Sequence, residues 1–422
     1  MPLNKEQQSV FLQIIDFING PAKAMDLSGR GGTGKTYLIG HIVNNIMPFI
    51  KNEKIQTIAV TATTNKAAAV LNGSIPGYDQ NVGTIYTYMN LRLSENYTTG
   101  ATSIVPTQNW EVKSNTLIII DECSMVNADL FHYLQIGIDS SCKILYVGDR
   151  NQLSPVKEDI SPIYSQGYPQ ANLTTSVRNA GQQALMDLCE QARQTVLTGV
   201  FTPIIPVPGV IDIVDGLELK GIMEREFHKE AEDKRIIAYT NARVVQYNTF
   251  VRELRCYTEP FVVGEILSNN TSTDVGNKTR LYTDQLVRLK RVCERYEDHS
   301  LIKGVPIPMI RIDVEDLNTR YSYNVSVFAN PDDRQKLSKH FVKHKNWPSY
   351  FKIKNEFPDL RPIAASTTHK AQGSTYDRVV IDLSDIGTCT QVEQTARMQY
   401  VAVSRAKSRI FIRGELPPRY FK

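Results

Sequence analysis

The stretch GRGGTGKT, Gly29 to Thr36, decides how this chain is read. It fits GxxxxGK[ST], with apolar Met25 and Leu27 ahead of it and the amphipathic run Tyr37, Leu38, Ile39, Ile42, Val43 and Ile46 behind it. That context predicts strand, loop, helix. Gly29, Gly31, Gly32 and Gly34, with Arg30 and Thr33 between them, let the backbone fold tightly and aim successive N–H groups at phosphate oxygens, where a helix N-terminus adds its positive dipole end. Lys35 is then placed for the β- and γ-phosphates, and the Thr36 hydroxyl for Mg²⁺. ATP and Mg²⁺ are the expected cofactors.

A second segment supports this. TLIIIDECSM, Thr116 to Met125, is a continuous apolar strand ending in two carboxylates. At the C-terminal edge of a parallel sheet, where ligands of open α/β sheets bind, Asp121 can join the Mg²⁺ shell and Glu122 can take a proton from an attacking water. KILYVGDRNQLSPV, Lys143 to Val156, is another buried strand running into a polar loop. It brings Asp149 and Gln152 to the same edge, where Gln152 can report the γ-phosphate.

The remaining composition sets limits. A length of 422 residues predicts about two to four domains. With 41% hydrophobic and 22% charged residues the chain is an ordinary globular one. A net charge of +4 is a weak excess, so any nucleic-acid site must be local. Cys123, Cys142, Cys189, Cys256, Cys293 and Cys389 form no CxxC pair, which suggests neither a zinc site nor a disulfide framework. The opening MPLNKEQQSV has no apolar signal core, and no run approaches the about 18 apolar residues that span a bilayer. A cytoplasmic location without membrane attachment is expected.

Along the chain, apolar spacing predicts a helix over residues 3 to 18 with Gln7 and Gln8 at its start. A Gln side chain has a donor and an acceptor, which suits an adenine edge or a solvated first turn. A strand at 55 to 60 leads into TATTNKAAAVL, whose Thr61, Thr63, Thr64 and Asn65 suit either a phosphate backbone or helix capping. GTIYTYMNL follows with Tyr86 and Tyr88, and residues 91 to 109 read as a projecting β-hairpin. The pattern resets after residue 160. LTTSVRN places Arg178 before a helix, and Arg235 to Leu254 repeats the strand, Thr-Asn turn and helix of residues 55 to 71. Residues 257 to 361 alternate short strands and polar turns, as in a small β-barrel. Within them the basic segment Pro331 to Phe357 carries Trp347, Tyr350 and Phe351, able to stack bases or to cover a small core. Ile363 to Leu383 and Gln399 to Ile412 return to the second α/β lobe. Arg178 and Arg405 could both serve a nucleotide held by the first lobe, or form structural salt bridges.

The ordered motifs EQQ, GRGGTGKT, TATTNKAAA, GTIYTYM, IIIDECSM, GDRNQLSPV, LTTSVRN, AYTNARV, TTHKAQGSTYDRV and YVAVSRAKSRI together resemble superfamily 1 helicases of the RecD-like 5′-to-3′ branch, the Dda-like phage enzymes in particular. The resemblance implies an α/β fold of two RecA-like P-loop NTPase lobes. The first spans 1–160 and carries a β-hairpin pin at about 91–109. The second is formed by 161–256 and 362–422, around an SH3-like β-barrel inserted at 257–361. It also implies that Gln7 reads adenine, that Lys35, Glu122, Gln152, Arg178 and Arg405 act in catalysis, and that Gly373 lies at the cleft. Thr64, Asn65, Thr84, Tyr86, Thr240, Asn241, Thr368 and His369 would contact DNA. The chain departs from the family at Thr63-Thr64, where Pro-Thr is common.

The implied activity is ATP-driven 5′-to-3′ movement on single-stranded DNA with unwinding of fork duplex. The setting would be phage replication or recombination in the host cytoplasm, by a monomer that meets replication or single-strand-binding proteins. The motifs leave open an RNA track, and a nucleic-acid-binding protein with little ATPase activity. No nuclease constellation is present.

Overall fold

The computed structural model describes residues 2–75, 78, 82–155, 158, 160–177, 181–276, 279–302 and 304–421. Two parallel sheets and one antiparallel sheet organise them. The first sheet has the order Gly83–Thr84, Thr57–Ala62, Thr116–Asp121, Lys143–Gly148, Ala24–Gly29, Gln170–Leu173, with every neighbouring pair parallel. Its central strands, TLIIID and KILYVG, are buried throughout. Side chains alternate between faces. Met25, Leu27, Leu117, Ile119, Leu145 and Val147 meet the helices Lys5–Asn19, Lys35–Asn45 and Asn65–Ser74. Ala24, Ile118, Ile120, Ile144 and Tyr146 meet the helix Ala128–Gly137 on the other face. Continuous apolar strands need this double cover.

The second sheet has the order Ala365–Thr367, Lys234–Ala238, Tyr376–Asp382, Ala406–Arg413, Ile211–Val214, again all parallel. Its two faces are separate apolar clusters. Leu188, Ile237, Val379, Met398, Val401 and Ile410 lie in one, Phe227, Ile236, Val251, Val380 and Phe411 in the other. The chain leaves this sheet after the helix Asn241–Leu254 and builds an antiparallel sheet of Ser322–Phe328, Ile307–Asp316, Leu286–Asp298, Ile266–Asn269 and Leu360–Pro362. The helices Pro331–Lys343 and Trp347–Glu356 pack beside it through Phe328, Phe341, Ile353 and Phe357.

One boundary is corrected. The first lobe does not end at residue 160, because Gln170–Leu173 pairs with Ala24–Gly29 and completes the first sheet. The strand is short, with only Ala171 and Leu173 turned inward, so it carries little periodic signal.

A two-stranded hairpin, Leu91–Glu95 with Thr102–Pro106, projects from the first lobe. Its turn is held by Asn96, whose side chain accepts from the Thr98 and Thr99 N–H groups at 2.9 and 3.0 Å. The tip is seated on the helix Trp347–Glu356. Glu95 accepts from Lys354 Nζ at 2.8 Å and Asn355 Nδ2 at 2.7 Å, and the Tyr97 ring meets Phe351 edge-on at 5.0 Å. Gly100, at φ +74°, lies so close under Trp347 that a Cβ there would stand 2.4 Å from the indole. Phe351, 1% exposed and met by Tyr97, is thereby removed from base stacking, while Trp347 is half-buried with its indole packed on Gly100.

Candidate nucleotide and nucleic-acid site

The phosphate loop joins the strand Ala24–Gly29 to the helix Lys35–Asn45. Gly32 at φ +86° and Gly34 at φ +81° adopt left-handed conformations that a side chain would strain. Lys35 Nζ donates back to the carbonyls of Gly29 at 2.6 Å and Arg30 at 2.9 Å, and Thr33 Oγ1 donates to Arg30 at 3.0 Å. The ammonium is thereby folded over the loop. Arg30 pairs with Glu190 at 2.6 Å. Gln7 is 4% exposed and spans the loop's edge, its Nε2 donating to the Thr33 carbonyl at 3.3 Å and its Oε1 accepting from Asn4 N–H at 3.1 Å. Both ends of that amide are engaged, the second as half of a capping box.

Asp121 ends its strand fully enclosed, and Glu122 follows at φ +54°. Burial, reinforced by Glu122, pushes the Asp121 carboxyl up to about 7 against the pull of Lys35. Two crowded carboxylates facing one ammonium form a site short of positive charge. With the Thr36 hydroxyl they supply the hard oxygen ligands Mg²⁺ takes, so the residues present fit Mg²⁺ and a triphosphate. Thr63, the departure noted in sequence, donates its hydroxyl to the Glu122 carbonyl at 2.9 Å and so supports this turn. Gln152 Nε2 donates to Asp149 at 3.2 Å, while its buried Oε1 has no partner among the described residues.

The second sheet closes over the first. Arg405 is 2% exposed and held by the carbonyls of Val401 and Ser374 and by Ser404 Oγ, at 3.0, 3.1 and 2.7 Å. A Cβ on Gly31 would stand 3.4 Å from Ser404 Cβ and 3.5 Å from Arg405 Nη2, so the guanidinium abuts the phosphate loop. No acidic side chain is among these partners, which sets aside a structural salt bridge for Arg405. Gly373, at φ +73°, has its Cα hydrogens aimed at Glu122, 3.6 Å from the position of an added Cβ. Arg178 lies outside the described residues.

Above the cleft runs a groove of about 1080 Å³, lined by Asn65 and Lys66 of the first lobe, Asn241 and Lys370 of the second, and Asp284 beside the antiparallel sheet. Thr64 and Thr240 cap the helices that open onto it, accepting from Ala67 N–H and Arg243 N–H at 3.2 Å each. Thr240 is also tied to Asp385 by its own N–H and hydroxyl, at 2.8 Å each. Thr84 caps the short turn that carries the half-buried Tyr86. His369 is exposed. Thr368 is corrected, because it is 0% exposed and its hydroxyl donates to the Ala238 carbonyl at 3.2 Å. Its neighbour Thr367 lines the groove instead.

Sequence reasoning passed over four residues that join the lobes. Gln372 Nε2 lies 3.5 Å from Glu122 Oε2. Lys66 Nζ donates to the Lys370 carbonyl at 2.8 Å, Arg397 Nη1 to the Arg150 and Gln152 carbonyls at 2.7 Å each, and Tyr400 OH to Asp149 at 2.7 Å. All four stand inside or beside the quoted motifs, but nothing in local spacing shows which way they face.

Two family models match, an AAA domain over residues 15–158 and a UvrD-like helicase C-terminal domain over residues 362–412. Among curated proteins the chain is similar to the ATP-dependent DNA helicase dda of Enterobacteria phage T4, 23% identical over 97% of this chain and 98% of the relative. Its fold is similar to that of the Pif1 helicase from Bacteroides in complex with ADP-AlF3 and ssDNA, with TM-score 0.57, 15% identity and coverage of 100% and 94% of the two chains. A further Pif1 structure, of two coordinating helicases at forked dsDNA, gives TM-score 0.58 at 16% identity with the same coverage. Fold, cleft and matches define an ATP-hydrolysing P-loop enzyme of helicase type. More narrowly, the chain is similar to helicases of the dda and Pif1 types.

Proposed function

We propose that this protein is a DNA helicase of the RecD-like branch that moves 5′-to-3′ on single-stranded DNA and unwinds fork duplex. The observation that carries the reading is the composite cleft. Arg405 of the second sheet abuts Gly31 of the first lobe's phosphate loop, directly below a groove that both lobes line. Lys35 and the loop N–H groups hold the triphosphate. Glu122 takes the proton of the attacking water, Gln152 reports the γ-phosphate, and Arg405 neutralises charge as it develops on the transferring phosphoryl group. Bound Mg²⁺, held by Thr36 and Asp121, supplies further charge neutralisation there. Arg178 as a second finger and Gln7 at adenine rest on the family resemblance.

Residues from both lobes complete the cleft, so nucleotide binding favours their approach and product release favours their separation. A strand crossing Thr64, Asn65, Tyr86, Thr240, Asn241 and His369 is gripped by each lobe in turn, with phosphates met by the capped helix N-termini. The hairpin Leu91–Pro106 splits duplex ahead, and the helix Trp347–Glu356, beside the antiparallel sheet read as the SH3-like insertion, holds the hairpin in place. DNA as the track is supported by the names of the phage and Pif1 relatives. Replication or recombination by a monomer in the host cytoplasm is the corresponding biological setting.

The test is ATP-driven unwinding of a duplex with either a 5′ or a 3′ single-stranded tail, alongside an RNA-tailed version. Unwinding only from the 5′ DNA tail is expected. Unwinding only from the 3′ tail would keep the ATP site but overturn the branch and the role of the hairpin.

A further inference from the structure

The loop Asp149–Leu153 leaves the first sheet at the end of the strand Lys143–Gly148, yet its contacts belong largely to the second lobe. Arg397 Nη1 donates to two of its carbonyls, Arg150 and Gln152, at 2.7 Å each. Tyr400 OH donates to Asp149 Oδ2 at 2.7 Å, the same oxygen that accepts from Gln152 Nε2 at 3.2 Å. Leu153, 2% exposed, is part of the second lobe's buried cluster with Leu185, Met398 and Val401. Arg397 and Tyr400 lie one turn apart on the helix Val392–Val403, which runs directly into Ser404 and Arg405 at the phosphate loop.

We infer that Arg397 and Tyr400 are positioning residues that make the γ-phosphate-reporting loop move with the second lobe. One helix then carries both the Arg405 finger and the grip on Gln152. Asp149 relays the grip: Tyr400 fixes its carboxylate, which holds one N–H of the Gln152 amide and orients the side chain, whose second N–H is the donor left for a phosphate oxygen. A nucleotide that engages Gln152 pulls the second lobe with it, and a strand that moves the second lobe resets Gln152. Neither residue is among the groups assigned above to nucleotide or DNA, and the Tyr400 hydroxyl also meets the Gly31 N–H of the phosphate loop. Their effect falls on the efficiency with which hydrolysis and strand movement are linked.

This inference rests on the helicase reading, and its test separates the two. Wild type, Tyr400→Phe, Arg397→Met and Arg397→Lys are compared for ATP KM, DNA-stimulated kcat and base pairs unwound per ATP, with thermal melting as a check on folding. Tyr400→Phe keeps the buried ring and removes only the hydroxyl. In Tyr400→Phe and Arg397→Met, kcat and unwinding per ATP are expected to fall on the order of 10-fold or more, the scale of a misplaced catalytic group, with KM changed by less than about threefold. Arg397→Lys, which keeps a donor, recovers part of the loss. Wild-type values of kcat and unwinding per ATP in a folded Tyr400→Phe would overturn the inference while leaving the helicase reading intact. A wild-type protein without DNA-stimulated ATPase would sink the reading itself.

Discussion

The nucleotide cleft and the seat of the hairpin both join remote parts of the chain, but different physics holds them. The cleft is polar and shared: Arg397 reaches across with two hydrogen bonds and Tyr400 with one, Arg405 abuts Gly31, and Gln152 keeps a buried acceptor unmet among the described residues. The hairpin seat is an edge-on ring contact, Tyr97 with Phe351, and an indole packed on Gly100, clamped by one partly buried ion pair, Glu95 with Lys354. A contact made of a few polar groups can open and re-form as ligand comes and goes. Aromatic surface buried against a glycine at van der Waals range has no comparable second arrangement. On the proposed function, the molecule thus pairs a movable joint at the nucleotide with a fixed one at the hairpin.

Four experiments sharpen or break that contrast. The largest effect belongs to Lys35→Ala, which should abolish ATP turnover, a loss of roughly a thousandfold or more for a charge aimed at the transferring group. Near-wild-type hydrolysis in that variant would show the cleft to be elsewhere. Glu122→Gln comes next, with kcat lower by about 10²- to 10⁴-fold, the range for a general base, and ATP binding retained in a fluorescent-nucleotide titration. Trp347→Ala should separate the two regions: unwinding of a tailed duplex drops about tenfold while hydrolysis on single strands stays within about twofold, as a mispositioned wedge allows. Equal loss of both activities would mean that the seat and the cleft are one mechanical unit.

The smallest effect concerns stability alone. Asp26, 2% exposed and with neither carboxylate oxygen hydrogen-bonded, lies in the strand that feeds the phosphate loop, and burial raises its pKa from 3.8 to about 6. The folded state therefore holds this proton when the unfolded chain has lost it. Stability from this group falls as pH rises from about 4 to about 6 and is flat above, by roughly 2 to 3 kcal/mol at most. Asp26→Asn should remove that slope and raise the melting temperature at pH 7. An unchanged melting curve from pH 4 to 8 would show that the carboxyl is solvated.

The same contrast explains what could be read from the sequence. The phosphate loop and the Asp121-Glu122 strand end were legible because their chemistry is written in adjacent residues, where glycine spacing and an apolar run admit few other meanings. Arg397 and Tyr400 were not, since on an amphipathic helix they look like ordinary interface residues until the loop they hold is seen. Trp347 and Phe351 were ambiguous for another reason. Aromatics among lysines have one composition whether they face a base or a protein loop, and for Phe351 only its burial against Tyr97 decides it. The strand Gln170–Leu173 escaped because two inward residues cannot establish a period.

In the second sheet, Ala406–Arg413 lies between Tyr376–Asp382 and Ile211–Val214, so the last of its five strands in chain order fills an interior place. Ile211–Val214 must wait, unpaired with its neighbour, while about two hundred further residues are made, a delay that long-range parallel pairing imposes. A chain interrupted anywhere before that strand lacks both a finished second lobe and Arg405. Premature termination consequently leaves an exposed sheet edge of the kind that cellular quality control recognises.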